Sequence, residues 1–424
     1  MIERLKKLLK QEQVDSYKIL QTKKESFQLF FVHTKVETVR CADSSNIEVE
    51  VYIKHDDALG DASFVIYPTQ SDEEILLKIR QAKEKAMSIS NQPYKLVSES
   101  TGSYENEKLI SGKSLKEVAF ELADAIFEVK GNEGSALNAT EIFINKKQSR
   151  VVNSDGVDKS SISYTGMIET IPTFNKKDES VETYAQRNFN TYNRKELQEY
   201  ISSLLKEVEA RANATKITLD PKLDVTIKAE EIETVLNVYL RQLNYASLYT
   251  KSNVLKKGDK IQTSKDADLL TISACGNVKG CSNSAYFDED GSEYNEQVLI
   301  KDGEVVNFFG GNRYSQYVNE KNTGNLRIIK LNTGKLEKKD LVNDTYLECL
   351  QFSGIQSDLL NDYIGGEVRL AILHKDGKEI PVTGFSISGK LSDALNSIKL
   401  SKEVATEPNY CGPKFVLLKN LTIL

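Results

Sequence analysis

The sequence predicts an α+β protein in two parts: an N-terminal α+β half and a β-rich C-terminal domain. Three observations predict it. Runs such as SFQLFFVHTKVETVR and NIEVEVYIK are apolar or alternate with period two, and they are rich in β-branched and aromatic residues, as strands are. Ser71 with Glu74, and Ser114 with Glu117, repeat the capping-box spacing that opens helices. Beyond Leu219 the chain is mostly alternating, and Asp302-Gly303 and Asp376-Gly377 sit between alternating runs as hairpin turns. The expected boundaries are 1–218, with sub-blocks 1–98 and 113–218, and 219–424.

The elements follow in order. Ile2, Leu5, Leu8 and Leu9 recur at helical spacing and predict an amphipathic first helix that packs on its own domain. Residues 16–68 read as four strands, ended by Pro68. The helix opened by Ser71 buries Ile75, Ile79, Ala82 and Ala86. Residues 99–113 are polar and suit a connector. Leu115, Val118, Leu122, Ile126 and Val129 stripe the next helix, and Asn153-Ser154-Asp155-Gly156 turns a hairpin. A helix over 194–213 buries Leu197, Ile201, Leu204, Leu205 and Val208, leaving its charged face to solvent. One helix over 229–247 interrupts the β-rich part.

Composition removes several function classes. Lys and Arg number 56 against 62 Asp and Glu, a net charge of −6, so nothing global draws the chain to nucleic acid or an anionic membrane. No apolar run approaches the ~20 residues that span a bilayer. The opening MIERLKKLLKQEQ is charged throughout, unlike a secretory signal. Five scattered cysteines, an odd number, point to a reducing cytoplasm. Cys275 and Cys281 bracket CGNVKGC, which lacks CxxC spacing and a nearby His. This reads as a loop with two incidental thiols rather than a metal half-site, with a redox pair as the remaining alternative.

No nucleotide-binding glycine motif and no GxSxG elbow are present. Three histidines, none followed by Glu, exclude an HExxH zinc site. His33 and His55 read as strand or loop surface residues. His374, at a strand end, is a conceivable partner for a Cys411 nucleophile. Asp288-Glu289-Asp290-Gly291 lacks the ligand ladder of a calcium loop and reads as an acidic turn. Gly310-Gly311 reads as a tight strand-to-helix connection or an anion cradle.

Several ordered segments resemble the TldD/PmbA family, also called modulators of DNA gyrase. VVNSDGV at 151–157 resembles the family's NS-[DE]-G turn, and LDVTIKAEEI at 223–232 the opening of its C-terminal domain. SLYTKSNVL at 247–255 is similar to a segment of the PmbA branch. YFDEDGSEYNEQVLIKDGEVVNFFGGNRYS at 286–315, Thr323-Gly324-Asn325, Ile380-Pro381-Val382 and Ile387-Ser388-Gly389 resemble later family motifs in the same order. The resemblance implies a two-part fold with a barrel-like, β-rich C-terminal domain, usually dimeric. It also implies peptide proteolysis, in which zinc-dependent TldD-type members pair with TldE/PmbA-type partners. The catalytic members carry HExxxH on the helix corresponding to 229–247, and a Cys near the C-terminus.

The sequence departs from that pattern at the decisive place. Alignment through SLYTKSNVL puts Asn237, Val238 and Gln242 where His, Glu and His stand in the metal-bearing members. Carboxamides bind zinc poorly and Val is no base. Positions five apart also lie ~140° apart on a regular helix. Cys411 corresponds to the family's C-terminal Cys. The resemblance therefore implies a PmbA/TldE-like member with no metal, no cofactor and no catalytic residue of its own. Its partners would be a second copy of itself or an HExxxH-bearing relative, and extended peptide. Asn237, Gln242, Arg313 and Cys411 are the candidate peptide-groove residues. An active peptidase using Cys411 with His374, and a non-proteolytic dimeric binding protein, are the alternatives.

Overall fold

The computed structural model describes residues 1–177 and 179–424. Helix α1 (Ile2–Gln11) buries Ile2, Leu5, Leu8 and Leu9 as expected. Strands β1 (Ser16–Val32), β2 (Lys35–His55) and β3 (Ala58–Ile66) then form an antiparallel meander. These are three strands, not four. The polar stretch 42–46 stays extended because it pairs residue by residue with 22–26 of β1, so pairing outweighs its weak local propensity. Helix α2 (Asp72–Ala86) carries the full capping box of Ser71 and Glu74. The connector expected at 99–113 contains a short strand, β4 (Thr101–Glu105). Its polar residues are held by a parallel neighbour, which no local pattern announces. Helix α3 (Leu115–Phe127) has the second capping box, Ser114 with Glu117.

Strands β5 (Ser135–Asn153) and β6 (Asp158–Asn175) make the expected hairpin. Asn153 Oδ1 accepts from the backbone N–H of Asp155 at 2.9 Å and of Val157 at 3.0 Å, and Gly156 takes φ 92°. After β7 (Ser180–Glu182) and β8 (Ala185–Phe189) comes α4 (Arg194–Asn213), capped by Asn193. The first sheet runs β3-β2-β1-β5-β6-β4, with β7 and β8 also on β6. Four helices cover one of its faces. α1 and α2 pack on Ile19, Ile47, Val49 and Ile66, and α3 and α4 on Phe27, Leu29, Ile142 and Ile168.

Strand β9 (Val225–Lys228) leads into α5 (Ala229–Gln242) and α6 (Tyr245–Thr250). The single helix expected over 229–247 is broken. Asn244 leaves the helical conformation and caps the Ala246 N–H at 2.8 Å, while Tyr245 N donates to the Phe309 carbonyl at 2.7 Å. There follow β10 (Ile272–Cys275), β11 (Gln297–Lys301), β12 (Glu304–Val305), α7 (Asn312–Tyr317), β13 (Ile328–Leu331) and α8 (Lys338–Leu341). Next come β14 (Tyr346–Asp358), β15 (Tyr363–Lys375), β16 (Lys378–Val382), β17 (Phe385–Gly389) and α9 (Leu391–Leu395). The chain closes with β18 (Lys399–Leu400), β19 (Val404–Glu407), β20 (Tyr410–Pro413), β21 (Phe415–Leu418) and β22 (Thr422–Ile423). Both Asp-Gly pairs turn hairpins, and all four residues have positive φ, as a type I′ turn requires.

The second sheet runs β12-β11-β10-β13-β20-β19 and the third β18-β21-β9-β14-β15-β17-β22, with β16 on β15. Both bury their apolar faces in one core with Ile232, Val235, Leu236, Tyr239 and Leu240 of α5. The fold is thus α+β with curled sheets, and α5 is held rigidly with one side facing out. No helix among the described residues is long and apolar enough to cross a membrane.

Candidate functional site

The outward side of α5 presents Glu230, Thr234, Asn237 and Arg241, spaced three and four apart and therefore stacked in one stripe. Glu233, half-buried beside them, faces Asn409 in the turn between β19 and β20. Burial raises the Glu233 carboxyl pKa, against the opposing pull of Asn409. Cys411 on β20 is half-buried and lies opposite Lys330 of β13 in parallel register. Burial raises its thiol pKa, and the Lys330 ammonium works the other way.

The first sheet and α4 reach this region too. Lys228, at the start of α5, stands 3.4 Å from Glu207 of α4. The charged face of α4 is therefore not wholly given to solvent, because Glu207 is spent on this contact. Arg187 of β8 lies 5.0 Å above the Tyr200 ring. Burial pushes Glu407 up to about 7, with Glu230 adding and Arg187 opposing. Glu231, 7% exposed, is likewise pushed up to about 7 by burial, opposed by Lys228, and its Oε2 has no hydrogen-bond partner among the described residues. Carboxyl groups that change protonation near neutrality can donate to a peptide carbonyl or accept from a peptide N–H.

The four groove residues expected from sequence occupy different settings. Asn237 is exposed on the α5 stripe. Gln242 spends its Oε1 on the Val254 N–H at 2.7 Å. Arg313 of α7 donates to Asp61 at 3.3 Å and to the Tyr317 hydroxyl at 3.1 Å, and lies over the rings of Tyr94, Tyr314 and Tyr317. Cys411 does not join the α5 groove: its neighbour Tyr410 enters the core with α5, so Cys411 points to the other face of the second sheet, with Cys275, Cys281 and Ile328. Among the described residues no hydrogen bond or ion pair joins any two of the four. His374 of β15 is in the third sheet, stacked on Tyr346 at 4.2 Å and bound to Glu348 at 2.9 Å, whereas Cys411 is in the second sheet.

A further feature escaped the sequence reading. The face of the first sheet opposite its helices carries matched polar rows. Ser26, Asn145 and Thr165 lie side by side on β1, β5 and β6, and Thr22, Ser149 and Ser161 form a second row. Gln28 Nε2 donates to Ser26 Oγ at 3.0 Å, and Asn145 Oδ1 is buried without a partner among the described residues. The signal was a Ser, Thr or Asn at positions four apart on β1, β5 and β6, with the row Lys24–Lys147–Ser163 between, and it becomes a pattern across the sheet only once the strand register is known.

Residues 221–424 match the PmbA/TldA metallopeptidase C-terminal domain. No curated protein matches the sequence. Over its whole length the chain has the fold of TldE from Thermococcus kodakarensis, at 15% identity and TM-score 0.79, covering 99% of each chain. It is similarly close to a candidate modulator of DNA gyrase from Bacteroides thetaiotaomicron VPI-5482, at 14% identity and TM-score 0.81, covering 99% of this chain and 97% of that one. The same holds for a candidate gyrase modulator from Thermotoga maritima MSB8, at 15% identity and TM-score 0.77, covering 100% and 99%. The metal of a metallopeptidase does not fit the residues on α5. Val238 is buried in the core, the Gln242 carboxamide is engaged, and Asn237 faces out alone. Among the described residues no three His, Cys, Asp or Glu side chains are grouped to hold a metal ion. Residues 221–424 thus carry a domain of the PmbA/TldA type, within a chain whose whole fold is that of these TldE and gyrase-modulator structures.

Proposed function

We propose that this chain is a PmbA/TldE-like subunit that holds extended peptide and works with an HExxxH-bearing TldD-type relative, which supplies the zinc chemistry. The observation that carries the reading is α5 itself, whose 237, 238 and 242 positions have an exposed amide, a core valine and an engaged amide. Such a helix can line a groove but cannot activate water through a metal. Around it, the α5 stripe, Glu233 and Glu407 offer polar contacts. The rows through Ser26–Asn145–Thr165 and Thr22–Ser149–Ser161, either side of Lys24–Lys147–Ser163, offer donors and acceptors to a peptide laid across that face of the sheet. The two regions together support binding of small unfolded proteins or peptides with little sequence preference. Alone, the chain pairs with a second copy of itself. The five free cysteines fit the reducing cytoplasm that we assign to it.

Titration of the purified chain into fluorescent unstructured peptides, read by anisotropy, tests the groove. Binding should weaken at least severalfold in Asn145→Leu and Asn237→Leu while the fold is kept. Unchanged affinity in both variants, or no binding by the parent chain, would count against the assignment.

A further inference from the structure

Three of the five cysteines converge although the sequence scatters them. Cys275 ends β10, Cys281 lies in the loop that follows, and Cys411 sits on β20. With Val278 and Ile328 they form one small apolar cluster. The register explains two of them. Cys275 pairs with Ile328 and Cys411 with Lys330, and residues two apart on β13 face the same side. The loop brings the third. Cys281 Sγ donates to the Tyr410 carbonyl at 3.2 Å, on the peptide bond that leads into Cys411. Asn283 N donates to the Pro408 carbonyl at 3.3 Å, and the Asn283 side chain to Asn409 at 2.9 Å, so the loop is laid along β20. Cys281 is fully covered, whereas Cys411 is half-exposed and next to the Lys330 ammonium.

We propose that Cys411 and Cys281 form an oxidant-responsive pair, in which a hydroperoxide oxidises Cys411 and Cys281 closes an intramolecular disulfide. In the first step the Cys411 thiolate attacks a peroxide oxygen and the O–O bond breaks. Cys411 becomes a sulfenic acid, and the departing hydroxide takes a proton and leaves as water. In the second step the Cys281 sulfur attacks the sulfenic sulfur, the S–O bond breaks, and a second water leaves with the Cys281 proton. The two thiols lose two electrons and one hydrogen peroxide gains them. Lys330 steadies the attacking thiolate of Cys411, while burial of both thiols keeps the reaction slow. Cys275 is the poorer partner for Cys411. Their strands flank β13, about 9.5 Å apart, beyond the ~7 Å that a disulfide bridges.

The crosslink would act on more than β20. Asn190, just after β8, donates to the Cys281 carbonyl at 2.8 Å and accepts from Gly280 N at 3.1 Å. The disulfide would therefore fasten the loop that links the first sheet to β20.

The test is peptide mapping of the full chain after excess hydrogen peroxide, with free thiols alkylated and trypsin applied without reductant. Trypsin cuts after Lys279, so Cys275 and Cys281 separate. The expected product joins 280–301 to 403–414, two hydrogens short of their sum, and disappears with dithiothreitol. It should be lost in Cys281→Ser and in Cys411→Ser, and kept in Cys275→Ser and Cys41→Ser. Sulfinic acid at Cys411 with Cys281 still alkylatable after unfolding would overturn the proposal, as would a link from Cys275 to Cys411. The parent chain alone gives either answer, so a variant that misfolds does not weaken the test.

Discussion

Lys18 Nζ on β1 stands 2.7 Å from Asp290 Oδ1 and 2.8 Å from Glu50 Oε2 on the neighbouring strand. One ammonium thereby ties the first sheet to the acidic turn at 288–291. Burial alone would lower the Lys18 pKa, but Asp290 and Glu50 more than reverse this and leave it raised. Lys18→Met should lower stability by roughly 1–3 kcal/mol, because two carboxylates are then left facing each other in a half-buried seam. Adding Asp290→Asn should restore part of the loss. Urea unfolding of the single and double variants measures both; additive losses would show that the contact is idle.

Arg313 closes the same seam from α7. Its fork is shared between Asp61 and Tyr317, and its Cζ lies 5.6–5.7 Å from the centres of three tyrosine rings. Arg313→Lys keeps the charge but loses the fork and the stacking, so a destabilisation of about 1–2 kcal/mol is expected. Limited proteolysis should also cut the variant faster near residues 92–95, which α7 holds through Tyr317, Asn312 and Gln316. A variant as stable and as resistant as the parent would remove the clamp from the account.

Glu231 sets a pH dependence. Its carboxyl keeps a proton up to about pH 7 in the folded chain, against an ordinary value of 4.5. Between those values the folded state binds more protons than the unfolded state. This contribution is therefore full below pH 4.5 and is lost as pH rises through 7. Glu231→Gln removes the cost of ionising a buried group, so at pH 8 it should be roughly 1–3 kcal/mol more stable than the parent. The gain should shrink steadily as the pH is lowered toward 5. Denaturant melts across that range check it; a gain that grows toward acid would reverse the sign of the argument.

Elemental analysis of chain purified without chelator and gently dialysed should find no stoichiometric zinc. A catalytic site needs three protein ligands, and α5 supplies none at 237, 238 or 242. About one zinc per chain, lost in Cys411→Ser, would reveal a ligand set assembled in some other way.

What was legible in the sequence was local. The capping boxes of Ser71 and Ser114, the Asn153–Gly156 turn and the bounds of α4 all rest on neighbours a few residues apart. The break between α5 and α6 was hidden because Leu243 and Tyr245 stay apolar and buried on either side of it, and a distant partner, Phe309, sets the bend. β4 was invisible because its partner strand begins at Asp158. The candidate site suffered most. Ser26 meets Asn145, and Cys281 meets Tyr410, only through pairings between remote segments, and no periodicity within either segment carries that information. That positions 237, 238 and 242 hold Asn, Val and Gln could be read directly, since it concerns residue types along one helix.

If this chain contributes peptide binding and an HExxxH-bearing relative contributes the metal, cleavage must depend on both. Cleavage of an unstructured peptide should be measured for this chain alone, for an HExxxH-bearing relative from the same source alone, and for the two mixed, each with and without a zinc chelator. The expected result is no cleavage by this chain alone, cleavage by the mixture well above that of the relative alone, and its loss in chelator. Cleavage by this chain alone that persists in chelator and vanishes in Cys411→Ser would contradict it.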